Sequence, residues 1–393
     1  MISGKQHARL AEWTIGDSRD RRCKRWSVHP DDVIDLTVAE MDLPVAIPVL
    51  DAVRDAVDRQ AFGYPMPDEL SGLPDVAAGW LRRQGVPIDA GRVRLIADVI
   101  KAMVVILRHV GRTADPVLVI TPTYSRFLDA VHAAGRSATE VPMRQVEGRY
   151  VLDYERIETT LRDGASTVML CSPSNPVGRL FDREELTALS ELVEKYGARL
   201  ISDEIHAPLR YRDEFVPYSS VGEAAAAHSI TLTSASKAWN VPGLRCAIVA
   251  LTGDTDIEVW DALPRAAKGG ISPLGIEATK AALQHGDPWI HAVLDLLDVN
   301  RQLIVEHFEE AGMPGLMQLP EATYLGWIDL RRFELADPRS HLLRTARVAT
   351  TSGEEHGRAG AGFVRLNFAS PTDVVDDAVG RVVAALQASR GTA

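Results

Sequence analysis

The chain has 393 residues, a net charge of −11, 46% hydrophobic residues and 25% charged residues. That composition suits a soluble globular protein with one large domain and a smaller one. The acidic balance argues against a nucleic-acid partner gripped by a broad basic face, and no window offers roughly 18 uninterrupted apolar residues for a membrane span. Cys23, Cys171 and Cys246 are too few and too scattered for a disulfide framework, and Met1 to Trp26 contain no apolar signal region. A cytoplasmic location is the expectation.

From about Val93 to Leu251 strand-like runs alternate with helical patterns. A helix is expected to begin near Asp98-Val99-Ile100. The predicted strands are Val117 to Ile120, Thr167 to Leu170, Ala198 to Ile201, Ile230 to Thr233 and Ala247 to Ala250, with an amphipathic helix over Arg183 to Tyr196 between two of them. This alternation predicts an α/β domain around a mainly parallel sheet. After Gly286-Asp287-Pro288 a long helix is expected, then strands over Tyr324 to Leu330 and Phe363 to Phe368, and a last helix from about Asp373.

In parallel sheets ligands bind beyond the carboxyl ends of the strands. Four polar strings fall there: Thr121 to Tyr124, Ser172 to Pro176, Ser202 to His206 and Ser234 to Lys237. The last is the most informative. Lys237, one of only seven lysines, stands at the mouth of a strand, behind two serines and eight residues before Arg245. A lysine so placed suits a Schiff base beside a bound phosphate, because desolvation or a neighbouring cation turns an ammonium into a nucleophile.

A pyridoxal phosphate site needs a lysine, an acid at the ring nitrogen, a donor at the ring oxygen, a platform for the ring and a phosphate cup. Asp203 suits the ring nitrogen, although an aspartate after a strand is more commonly a turn or helix cap. Asn175 suits the ring oxygen, although Asn-Pro is also turn chemistry. Tyr124 suits the platform or an ordinary core position. Ser234, Ser236 and Arg245, with the helix start at Val99 and Ile100, suit the phosphate. Arg365 lies in the apolar run Phe363 to Phe368 and needs an anionic partner, either a substrate carboxylate or a structural one.

Taken in order, Phe62-Gly63-Tyr64-Pro65, Pro122-Thr123-Tyr124, Asn175-Pro176-Val177-Gly178, Asp203-Glu204-Ile205-His206, Ser234-Ala235-Ser236-Lys237, Arg245 and Arg365 resemble the class I/II aminotransferase superfamily of fold type I. Ser202 to His206, Ser236 to Leu244, Pro320 to Asp329, Val38 to Asp42 and Gly357 to Pro371 are similar to its cystathionine β-lyase branch. That branch includes bacterial C–S lyases and a relative that modulates the maltose regulon. The resemblance implies a fold-type I pyridoxal 5′-phosphate enzyme, with a cofactor-binding large domain over 47–286 and a discontinuous small domain from 1–46 and 287–393. It implies Lys237 as Schiff-base lysine and proton shuttle, with Asp203, Asn175, Tyr124 and His206 around the ring. Tyr64 would reach the phosphate of a neighbouring subunit in a homodimer. Arg365 would clamp the substrate carboxylate, with Asn175 and Ala39 beside it; no metal is expected.

The sequence departs from the branch pattern at Asp98, where glycine is usual, and at Thr37, Glu40, Leu43 and His356. Asp98 would cap the helix and oppose the phosphate, and the altered loop from Ala39 to Leu43 would border the substrate. The leading expectation is β-elimination from an S-substituted L-cysteine. The alternatives are an aminotransferase, a specialised biosynthetic lyase or decarboxylating deaminase acting on an S-conjugate, and a regulatory binding protein. The first proton abstraction is common to elimination and transamination.

Overall fold

The computed structural model describes residues 2–212 and 214–390. The apolar runs form seven strands: β1 (Val93–Ile96), β2 (Val117–Thr121), β3 (Ala138–Pro142), β4 (Thr167–Cys171), β5 (Arg199–Asp203), β6 (Ser229–Thr233) and β7 (Ala247–Leu251). They build one sheet in the order β3-β2-β4-β5-β6-β7-β1. Strands β2 to β6 run parallel, while β7 is antiparallel to both of its neighbours. Every residue of β2, β4, β6 and β7 is buried. Both faces of these central strands are covered, which is why they read as continuous apolar runs. Val117 and Val119 face one core, and Leu118 and Ile120 face the other, as the two-residue period of a strand requires.

The five predicted strands lie within one or two residues of the observed ones. The expectation missed β1 and β3, the two edges of the sheet. Arg94 interrupts β1, and β3 carries Thr139, Glu140 and Pro142. Edge strands tolerate such residues, and they blunt the apolar signal.

Helix α1 (Val99–His109) follows β1. Beyond the sheet, α2 (Asp287–Glu310) leads to an antiparallel sheet of β8 (Leu325–Asp329), β9 (Thr351–Ser352) and β10 (Phe363–Asn367) in the order β8-β10-β9, and α3 (Thr372–Arg390) follows. The N-terminal segment joins this part through parallel pairing of Ile34–Asp35 with Val348–Ala349. Within α2, the Trp289 indole donates to Pro44 O at 3.1 Å, and Asn300 donates to Phe368 O and Ser370 O at 2.8 and 2.9 Å. These bonds tie the long helix to both segments that border the site. Among the described residues no helix is long and apolar enough to cross a membrane.

Candidate active site

The ends of β4, β5 and β6 converge on a cavity of about 180 Å³. Ala39, Val99, Ile100, Tyr124, Asn175, Asp203, His206, Ser234, Ser236, Lys237 and Arg245 line it, so residues read singly along the chain meet in one place. Arg365 lies in the wall behind Asn175. Tyr64 does not line it and is fully exposed, at 102%.

Lys237 sits in the short helix Ala235–Ala238, which the side chain of Ser234 caps. Ser234 Oγ accepts the Ser236 N–H at 3.1 Å and donates to Cys246 O at 2.7 Å. The turn is thereby pinned to the neighbouring β7 region. Lys237 Nζ donates to Ala39 O at 2.8 Å. Burial, reinforced by Arg365, brings its pKa down to about 8 against the pull of Glu40 and Asp203. About a tenth of the amine is then uncharged at neutrality, far more than for an ordinary lysine, and the uncharged form is the nucleophile and base.

Asp203 is the last residue of β5 and is buried. It accepts the Ile205 N–H at 3.1 Å. Burial pushes its pKa up to about 7, with that hydrogen bond and Lys237 pulling down. A buried acid of this kind is stabilised by a cationic partner, and a protonated ring nitrogen is one. Glu204, its neighbour, takes no part in the cavity; it accepts Ser202 Oγ–H at 2.9 Å and Tyr218 N–H at 3.1 Å. The turn that places Asn175 closes at Gly178, where φ is +71° and a Cβ would lie 2.4 Å from Pro320 Cβ. Only glycine allows the loop to dock there, and Gly178 O accepts the N–H groups of Glu321 and Ala322.

Arg365, on β10, is buried, and its Nη1 donates to Asn175 Oδ1 at 3.3 Å. A guanidinium only donates, so the Asn175 oxygen must face it, which frees the amide N–H groups for the cavity. Arg365 Nη2 donates to Thr37 O at 2.8 Å and to Thr351 Oγ1 at 3.4 Å, while Nε has no hydrogen-bond partner among the described residues. None of these acceptors is a carboxylate. Among the described residues no carboxylate hydrogen-bonds this arginine, which leaves its place open to a ligand carboxylate.

Several residues that sequence reasoning passed over frame the site. The 37–43 segment is held by its main chain. Asn367 Nδ2 donates to Val38 O and Glu40 O, both at 2.6 Å. Asn240 accepts Met41 N–H at 2.9 Å and donates to Met41 O and Leu43 O. Tyr324 OH donates to Ala39 O at 3.0 Å. Tyr324 also meets the His206 ring edge-on at 6.0 Å. The Tyr324, Asn240 and Asn367 strings were visible as motifs, but no local pattern announced a clamp.

His206 is buried, its Nδ1 has no partner among the described residues, and burial with Lys237 and Arg365 drives its pKa down to about 3. It is a neutral ring on the cavity wall. His356 is likewise buried and neutral, pushed to about 3 by burial and Arg365. Its Nδ1 donates to Thr123 O at 2.9 Å, because a carbonyl can only accept.

The expectation for the altered loop needs correction. Leu43 is completely buried in the core, and Glu40 lines a separate groove with Arg21, Trp26 and Val53. Within the 37–43 loop only Ala39 lines the cavity, and Thr37 reaches Arg365 through its carbonyl. The tight main-chain anchoring turns the other side chains away. At the opposite side of the cavity Asp98 does cap α1, through Oδ1 and the Lys101 N–H at 2.7 Å. Arg245, expected at the phosphate together with Ser234, Ser236 and the start of α1, also donates through Nη2 to Asp98 Oδ2 at 2.6 Å.

A family model described as aminotransferase class I and II matches residues 31–382. Cystathionine β-lyase of Corynebacterium glutamicum is 32% identical over 377 residues, covering 95% of this chain and 99% of that protein. Cystathionine β-lyase PatB of Bacillus subtilis is 30% identical over 386 residues, covering 94% and 99%. The crystal structure of cystalysin from Treponema denticola, which contains a pyridoxal 5′-phosphate cofactor, aligns with a TM-score of 0.89 at 25% identity, over 96% of this chain and 99% of that one.

Proposed function

The chain belongs to the class I and II aminotransferase family, in its cystathionine β-lyase branch, and from that premise we propose that it cleaves the C–S bond of an S-substituted L-cysteine by β-elimination. Its cofactor is pyridoxal 5′-phosphate. The observation that carries the reading is the meeting of Lys237, Asp203 and Asn175 in one cavity with Arg365 bonded behind Asn175. The residues fit the cofactor: a buried acid without a cationic hydrogen-bond partner, a desolvated amine and two free N–H groups at the start of α1 stand around one space.

When bound, the cofactor supplies an electron sink for the charge that develops at the substrate Cα. Asp203 holds the ring nitrogen protonated. The Asn175 amide donates to the ring oxygen, and Tyr124 covers a ring face. Val99 and Ile100 N–H, Ser234, Ser236 and Arg245 take the phosphate. Arg365 orients the substrate through its carboxylate, and Lys237 Nζ takes the proton from Cα. The C–S electron pair then leaves with sulfur as a thiolate. The three-carbon remainder takes up water and yields pyruvate and ammonium.

We assign Tyr64 to the phosphate site of a second copy. Phe62, Tyr64, Met66 and Leu70 are 55–102% exposed within ten residues, an apolar run that suits a homodimer. A monomer by light scattering with full activity would contradict this. We take residues 47–286 as the cofactor-binding unit, with 1–46 and 287–393 as the second.

The decisive assay offers cystathionine and a panel of S-conjugates, with free thiol and pyruvate as readouts, beside a panel of 2-oxo-acid acceptors. Thiol and pyruvate are expected in equal amounts. Acceptor-dependent amino transfer without thiol from any conjugate would replace the lyase reading with an aminotransferase.

A further inference from the structure

One acid on the phosphate side of the cavity runs against the chemistry assigned there. Asp98 uses one oxygen to cap α1 and the other to pair with Arg245 at 2.6 Å. Both residues line the cavity, together with Val99, Ile100, Ser234 and Ser236. Among the described residues that line it, Arg245 is the only arginine. The pair therefore neutralises the one guanidinium that can meet a dianion there. It also puts a negative charge at the helix end whose dipole and free N–H groups favour an anion.

The pair is built to be shared. The Arg245 side chain is 59% exposed and that of Asp98 39%, so neither charge is locked in by desolvation, and an exposed pair of this type contributes little to stability. Opening it costs the fold little. Arg245 itself stands in the left-handed region, with φ of +48°, and this fixes where its side chain leaves the backbone.

We infer that Asp98 sets the affinity of the site for the cofactor phosphate by competing with it for Arg245. This rests on the cofactor reading above. Were Asp98 instead holding Arg245 in the pose the phosphate needs, its removal would weaken phosphate binding. The two roles give opposite signs.

The test titrates the full chain, freed of cofactor, with pyridoxal 5′-phosphate and separately with pyridoxal, following absorbance. Asp98→Asn keeps an oxygen for the helix cap and removes the charge. Asp98→Ser repeats the change with a different cap and guards against a folding defect. Competition predicts that both variants bind pyridoxal phosphate more tightly than the parent, by up to about fivefold, the size expected for one exposed charge pair. Pyridoxal affinity should not change, and the gain should shrink at high salt. Equal or weaker binding of pyridoxal phosphate by the variants would overturn the inference. So would equal tightening of both ligands, which would move the effect away from the phosphate. A parent chain that binds neither ligand would sink the cofactor reading itself, whereas normal binding with unchanged affinity in the variants sinks only the role of Asp98.

Discussion

The two sides of the cavity are built by different means. On the lysine side, Asn175, Asp203, Ser234 and Lys237 each stand at or just beyond the end of a strand in one sheet. Their own segments place them. On the other side, Arg365, Asn367, Asn240 and Tyr324 hold the main-chain carbonyls of residues 37–43 from far along the chain. The first side depends on which side chain follows a strand. The second depends on which side chains grip another segment's backbone, so the gripped residues can change identity while the frame stays. Thr37, Glu40 and Leu43 are such residues, and none of their side chains lines the cavity.

The sharpest way to break the lysine side is Lys237→Ala. Loss of the proton-transferring amine should lower turnover by about 10²- to 10⁴-fold, and borohydride reduction should no longer leave a pyridoxyl group on the peptide that carries residue 237. A labelled lysine elsewhere in the wild-type chain would remove Lys237 from its role. Asp203→Asn comes next. The amide cannot keep the ring nitrogen protonated, and loss of a charged hydrogen bond of roughly 1.5–3 kcal/mol should lower kcat by about one to two decades. Near-parental kcat in a variant with full cofactor loading would exclude Asp203 from the mechanism.

Arg365→Ala tests the other side. It should weaken kcat/KM for the amino acid by about one to two decades, while cofactor absorbance and affinity stay close to the parent. If cofactor binding falls as much as substrate use, the two sides are not separable, and Arg365 acts through Asn175 and the Thr37 carbonyl instead of through substrate.

The same contrast explains what could be read from the sequence. Lys237, Asp203 and Asn175 were legible because a buried strand is a continuous apolar run and the ligand-binding residues come at its end. Arg365 was legible as a charge in an apolar strand. The clamp was not, because Asn240 and Asn367 bind carbonyls 199 and 329 residues away, and a carbonyl looks the same under every side chain. Edge strands β1 and β3 were lost for a related reason: Arg94, paired with Asp261, and Glu140, paired with Arg358, break the apolar run. The pairing of Arg245 with Asp98 joins residues 147 apart in sequence, so a departure at Asp98 was visible while its partner was not.

The smallest effect separates the two sides by the sign of their pH dependence. His356 has a pKa near 3 in the folded chain, pushed there by burial and then by Arg365, against an ordinary 6.5. As pH falls below 6.5 the unfolded chain binds a proton that the folded chain refuses, so stability is lost on acidification through that window. Asp203 goes the other way. Burial raises it from 3.8 to about 7, so the folded chain keeps a proton that the unfolded chain gives up, and stability is lost as pH rises from about 4 to 7. Each group changes the slope of unfolding free energy by at most about 1.4 kcal/mol per pH unit. In the cofactor-free chain, His356→Phe should therefore flatten the loss of stability between pH 6.5 and 5. Asp203→Asn should gain stability relative to the parent as pH rises from 5 to 7. Only slopes are compared, because removing the imidazole also leaves Thr123 O without its donor at every pH. Denaturant midpoints collected across pH 5–7 decide it. Slopes that change in the same direction in both variants would show that the buried charges of the two sides do not titrate as opposites.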